Sequence, residues 1–175
     1  EEKCSDCEMG RSTNIVGNNQ SECLLCPVGQ KTSRPGSAEC QNCGAGMYGD
    51  GCQQCKAGQH RKSSLDDPTT CVDCSIGRYQ PDDGQASCLP CTPGKHQHFE
   101  GKETCLDCQI GRSTNVTGND QSECLLCPVG QKTSRTGSAE CQNCGAGRYG
   151  SGCKECQSGQ HRTSSLDDPK RCADC

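Results

Sequence analysis

Apolar residues along this chain neither alternate for more than about 3–4 residues nor form a run near the ~18–20 residues of a membrane span. The pattern predicts mostly irregular structure with short β pairs, no long helix and no membrane-crossing segment. Polar loops separate brief clusters in which cysteine is the recurring apolar residue, as in "CLLCPVGQKTSRPGSAECQNC" from Cys23 to Cys43.

The cysteines are strictly spaced. All 22 fall into eleven CxxC pairs beginning at Cys4, Cys23, Cys40, Cys52, Cys71, Cys88, Cys105, Cys124, Cys141, Cys153 and Cys172. Wherever the chain continues, a Gly stands three residues after the second cysteine, from Gly10 to Gly159. That Gly supplies a positive-φ turn, and loop tips such as Asp82-Asp83-Gly84 and Pro35-Gly36 are turn chemistry. The unit is CxxCxxG, a polar loop and the next CxxC. A longer period lies on top, because residues 4–74 align with 105–175 at an offset of 101, with 17 differences in 71 positions. The first large repeat covers 4–104 in modules 4–22, 23–39, 40–51, 52–70, 71–87 and 88–104. The second covers 105–175 and is incomplete, with modules 105–123, 124–140, 141–152, 153–171 and a start at 172. The chain is an array of tandem modules.

Composition says what must hold such modules together. Only 29% of the 175 residues are hydrophobic even with cysteine included; the aromatics are Tyr48, Tyr79, Tyr149 and Phe99, and Trp is absent. Too little apolar surface exists to offset the entropy of ordering the backbone, about 1–2 kcal/mol per residue. Cross-links or metal must supply the rest. The net charge is −4 with the basic residues dispersed, so no basic stripe invites nucleic acid.

Zinc, redox chemistry and disulfide staples all use CxxC. Eleven knuckles cannot pair evenly into Cys4 zinc sites, the gap from Cys43 to Cys52 is short, and the loops lack the packing of zinc ribbons. A redox CxxC is normally single and set at a helix N-terminus, which these lack. Structural disulfides, and hence an extracellular or cell-surface setting, are the expectation, with no metal or other cofactor. A bond within one CxxC closes a small strained ring, whereas linking successive pairs closes each loop and contributes about 3 kcal/mol for ~15 residues. The expected bridges are Cys7–Cys23, Cys26–Cys40, Cys43–Cys52, Cys55–Cys71, Cys74–Cys88, Cys91–Cys105, Cys108–Cys124, Cys127–Cys141, Cys144–Cys153 and Cys156–Cys172. Cys4 and Cys175 remain, and are expected to bond an earlier and a later module of a longer chain.

The stretches "CPVGQKTSRPGSAECQNCGAG" and "CSIGRYQPDDGQASCLPCTPGKH" resemble the ephrin-receptor-like cysteine-rich repeat, related to the simplest loop module of tumour-necrosis-factor-receptor domains and loosely akin to EGF-like modules. The matching features are CxxCxxG, an aromatic soon after the Gly (Tyr48, Tyr79, Tyr149), a mid-loop Gly and the closing CxxC. The departures are the short modules 40–51 and 141–152, and Arg11, Gln30, Gln59 and His96 where an aromatic is common. The resemblance implies a small disulfide-rich fold without a large core, an elongated rod of short hairpin and loop modules, and leaves function open, since such repeats serve receptors, matrix proteins and coats.

Other chemistry is sparse. His96 and His98 form an HxH on a polar loop, expected to face solvent, and His60 and His161 sit in a repeated "GQHR". The "SSLDDP" segments place Asp66, Asp67, Asp167 and Asp168 together, but as a turn with Pro rather than the six or more spaced oxygens of calcium. Asn115 and Asn19 satisfy N-x-[ST] as glycosylation acceptors. No catalytic constellation has a scaffold to hold it, so an enzyme is not expected. The near-identity of the large repeats favours a structural extracellular protein, a segment of a surface fibre, coat or appendage whose partners are copies of itself, neighbouring repeats and glycans. The alternatives are a ligand-binding or adhesion ectodomain and a zinc-binding CxxC array. The rod is expected to reach on the order of 150–200 Å, with polar, glycan or disulfide contacts between protomers.

Overall fold

The Gly of CxxCxxG creates the fold's smallest element. The computed structural model describes residues 6–13 and 23–175. In it the amide after this Gly donates to the carbonyl three residues back, as from Arg78 to Ser75 at 3.0 Å, with Gly77 at φ +75°. This is a turn whose third position needs positive φ, which Gly adopts without strain. The two residues after the Gly then pair antiparallel with the two residues inside the next CxxC. Arg11–Ser12 pairs with Leu24–Leu25, Gln59–His60 with Val72–Asp73, and Lys95–His96 with Leu106–Asp107.

Ten such hairpins occur among the described residues, and no helix. Each strand is two residues long, inside the bound of about 3–4 that the pattern sets. The second cysteine of the closing CxxC ends the ladder by donating to the Gly carbonyl, as from Cys91 to Gly77 at 2.9 Å. Beyond that point the chain enters its next turn, so pairing cannot extend.

Ten disulfides join the second cysteine of one pair to the first of the next: Cys7–Cys23, Cys26–Cys40, Cys43–Cys52, Cys55–Cys71, Cys74–Cys88, Cys91–Cys105, Cys108–Cys124, Cys127–Cys141, Cys144–Cys153 and Cys156–Cys172. Hairpin and staple close the same loop. Cys175 is an exposed free thiol, and Cys4 lies outside the described residues. In the short modules, Cys52 and Cys153 take positive φ (61° and 59°), a strained conformation for a residue with a Cβ.

The chain divides into two compact units, one of residues 1–74, 80–88 and 101–103, the other of 75–79, 89–100 and 104–175. Within each, the interior is unusual. Every buried apolar side chain among the described residues is a cysteine. The larger apolar side chains lie outside, including Leu24, Leu25, Phe99, Ile110, Leu125 and Leu126, with Leu65 and Leu166 at 92% and 94% exposure. Large apolar side chains thus remain on the surface, which the expectation of polar, glycan or disulfide contacts between protomers did not allow for. The sulfurs and buried polar groups fill the narrow space between loops, which leaves no room for leucine.

Candidate functional site

Successive modules within each unit are joined by one repeated hydrogen bond. The amide of each CxxCxxG glycine donates to the residue three positions after the next module's glycine. Gly46 donates to the Arg61 carbonyl (2.8 Å), Gly58 to Gln80 (2.7 Å), Gly77 to Gln97 (2.7 Å) and Gly94 to Thr114 (2.7 Å). Where that residue is Thr32 or Thr133, the hydroxyl accepts instead, from Gly10 at 2.8 Å and Gly111 at 2.7 Å. A buried amide must find an acceptor, and this position supplies it, by its backbone carbonyl or, at Thr32 and Thr133, by its hydroxyl. Thr32, Arg61, Gln80, Gln97, Thr114, Thr133 and Arg162 are consequently all buried. Sequence reasoning passed over this position. Its one signal is that it carries Thr, Arg or Gln except in the short modules, where it is Gly49 and Gly150.

Arg61 takes this role furthest. The side chain is 2% exposed. Its Nε donates to the Asp67 carbonyl (3.0 Å), Nη2 to Asp66 (2.9 Å), and Nη1 to Met47 (2.7 Å), Gly44 (3.3 Å) and Cys43 (3.4 Å). Arg162 repeats the arrangement through its two Nη groups, on the carbonyls of Cys144, Gly145, Arg148, Ser165 and Asp167, while its Nε is buried without a partner. A planar guanidinium with five donors fits a cage of carbonyls as lysine cannot. The "GQHR" repeat is thus a bracket. It ties the short module to the SSLDDP loop, whose Pro68 carbonyl accepts from Gly49 at 2.7 Å.

The carboxylates of that loop face donors. Asp66 Oδ2 accepts from the Ser63 amide (2.9 Å), and Asp67 Oδ1 from the Thr69 hydroxyl and amide (2.6 and 2.8 Å). The Thr69 hydroxyl first, then its amide and the Arg61 charge, hold the Asp67 carboxyl below its ordinary value. In the second repeat Lys170 stands where Thr69 was, and Asp167 is lowered instead by the Ser164 amide and by Thr163. A carboxyl lowered in the folded state contributes stability that is complete above the ordinary carboxylate range and is lost as pH falls below it. Both loops are therefore expected to loosen below about pH 4 while the disulfides keep the modules closed. Amide protection at Thr69 and Ser164 should fall together in acid; protection unchanged from neutral pH to pH 2.5 would contradict this.

The histidines divide into two kinds. His60 Nδ1 lies 3.1 Å from the Val72 carbonyl and 3.3 Å from Cys88 Sγ. Ser12 and Ser113, at the same module position, lie against Cys40 and Cys141 at 3.2 and 3.1 Å. His60, Cys74 and Cys88 cluster closely, but the two sulfurs form one disulfide and offer no thiolate to a metal. The staples likewise leave no CxxC with two free thiolates among the described residues. His96 is 8% exposed, which corrects the expectation that it faces solvent. Its Nδ1 lies 3.1 Å from the Gln121 carbonyl, because the 108–124 loop folds over it. Beside it, a cavity of about 320 Å³ is lined by residues that include His96, His98, Asp107, Arg112, Ser122 and Glu123. Of the sequons, Asn115 is exposed on its loop and Asn19 lies outside the described residues.

Comparison with known proteins agrees with this geometry. Residues 62–101 match the family described as tyrosine-protein kinase ephrin type A/B receptor-like. Over 81 residues, 46% of the chain, the sequence is 37% identical to sushi, von Willebrand factor type A, EGF and pentraxin domain-containing protein 1 of Rattus norvegicus. The chain spans only 2% of that relative's length. The chain is a tandem array of small disulfide-rich modules, in which residues 62–101 are similar to the ephrin-receptor-like family, and its staples and these similarities point to an extracellular or secreted setting. Among the described residues no helix is long and apolar enough to cross a membrane.

Proposed function

We propose that this chain is a structural building block of an extracellular fibre or coat, acting through contacts that recur along it, with no catalytic step. The observation that carries this reading is duplication of the same exposed apolar positions. Leu24 and Leu25 are 56% and 71% exposed, their counterparts Leu125 and Leu126 are 75% and 70%, and Leu65 and Leu166 stand almost wholly in water. None of these leucines differs between the repeats, whereas Lys62, Thr69 and Thr70 in the loop around Leu65 become Thr163, Lys170 and Arg171. A leucine held out on a braced loop gains only when another surface covers it. Two copies in one chain multiply a weak contact by avidity.

The test is sedimentation of the chain against a variant carrying Leu65→Asp and Leu166→Asp. Wild type is expected to form concentration-dependent assemblies, and the variant to weaken association by about tenfold or more, from the 1.5–3 kcal/mol carried by one buried leucine. A wild-type chain that stays monomeric at every concentration would remove the proposal. The second reading, a ligand-binding or adhesion ectodomain, is supported by the receptor-like description of the family matched over residues 62–101. It gains if the wild type stays monomeric.

A further inference from the structure

The HxH segment occurs once in the chain. At the corresponding positions His60 is followed two residues later by Lys62, and His161 by Thr163. His96 lies in the Lys95–His96 strand, paired with Leu106. Between the two histidines, Gln97 is buried and anchored on both sides. Its amide donates to the Asn119 carbonyl (3.0 Å), its Nε2 to the Thr104 carbonyl (2.8 Å), and its Oε1 accepts from the Phe99 amide (3.1 Å). The backbone carrying both imidazoles is thereby held in place. Their rings lie nearly parallel with centroids 5.9 Å apart, and Phe99 packs on His98 at 4.0 Å.

The tautomer of His96 follows from its partner. A carbonyl only accepts, so His96 Nδ1, at 3.1 Å from Gln121 O, carries the proton and leaves Nε2 with an unshared pair. His98 Nδ1 is buried with no hydrogen-bond partner, a costly state for a polar atom. Both side chains line the 320 Å³ cavity, and the carboxylates of Asp107 and Glu123 stand on its wall. Glu123 pairs with Arg112 at 2.8 Å while remaining 66% exposed, and Asp107 pairs with Lys95, so an incoming cation would compete with one of these ion pairs for its oxygen. Arg112 keeps a second anchor on the Cys124 carbonyl at 2.7 Å.

We propose that this cavity binds one borderline divalent transition-metal ion, of the zinc or copper kind, through the imidazoles of His96 and His98, with oxygen from Glu123 or Asp107 and water. Two imidazoles select such ions over calcium and magnesium, which take oxygen ligands. The Gln97 anchors make the ligand pair preorganised.

The variants that test this use residues the sibling modules already carry. His96→Ser copies Ser12 and Ser113, and His98→Thr copies Thr163, so both fit the module. The full chain, disulfides intact and accessible thiols alkylated to silence Cys175, is titrated calorimetrically with zinc chloride, copper(II) chloride and calcium chloride. One equivalent of zinc or copper should bind, with calcium inert. Each substitution should weaken binding by more than roughly tenfold, since even an outer-shell partner is commonly worth that. His161→Thr should leave binding unchanged. Copper(II) bound to wild type should show two-nitrogen hyperfine structure by electron paramagnetic resonance. Absence of binding, or binding that survives either His96→Ser or His98→Thr, overturns the site.

Discussion

Replacing Arg61 with methionine is expected to open the short module and the SSLDDP loop together, lowering local stability by about 3–5 kcal/mol. Methionine fills much of the same volume but donates nothing. The carbonyls of Cys43, Gly44, Met47, Asp66 and Asp67 would lose their shared donor, and that of Cys43 lies where water enters poorly. Arg61→Lys keeps the charge without the planar fork and should recover less than half of the loss. Native-state amide exchange at Gly46 and Gly49 reads the effect, because those amides bond the Arg61 and Pro68 carbonyls. The disulfides stay closed throughout, so the change is local opening rather than unfolding. Protection in the methionine variant equal to wild type would show that the guanidinium is ornamental.

The second large effect separates two glycines that look identical in sequence. Gly77→Ala should abolish correct folding of its module or cost more than about 3 kcal/mol, whereas Gly111→Ala should cost only about 1–2 kcal/mol. Both glycines have positive φ, +75° and +85°, and both pay for a left-handed alanine. Only at Gly77 would the new Cβ overlap the Gly118 backbone carbonyl; around Gly111 the space is open. The overlap forces apart the loops that the Gly77–Gln97 and Gly118–Cys91 hydrogen bonds hold together. Secretion yield and non-reducing peptide maps of the two variants would check this, and equal behaviour would mean that the loops yield more easily than the geometry implies.

Much of this architecture was legible because it is written in local spacing. CxxCxxG names a turn, its glycine names the sign of φ, and the distance to the next CxxC names a loop that one disulfide can close. Loop-closure entropy also selects between rings inside a CxxC and staples between successive pairs. The 101-residue period was visible by simple alignment. The exact strand length was not legible, because pairing is stopped by the closing amide on the Gly carbonyl, as from Cys91 to Gly77, a contact that alternation of side chains does not encode.

The candidate site was less legible. "GQHR" and "SSLDDP" looked like separate decorations, yet Arg61 joins them to a loop 18 residues earlier. His96 looked exposed because its own loop is polar, but the 108–124 loop covers it. The leucines of Leu24–Leu25 and the SSLDDP tips gave no sign that cysteine would take the interior and leave them in water.

The sequence by itself determined the modules, their turns, the loops to be stapled and the repeat, since each depends on covalent spacing and on the φ a residue can adopt. Only the tertiary structure decided which polar groups are buried and which apolar ones are left outside. Those outcomes depend on whether a carbonyl, a sulfur or a guanidinium from the neighbouring loop occupies the space first, and such contacts leave no periodic mark along the chain.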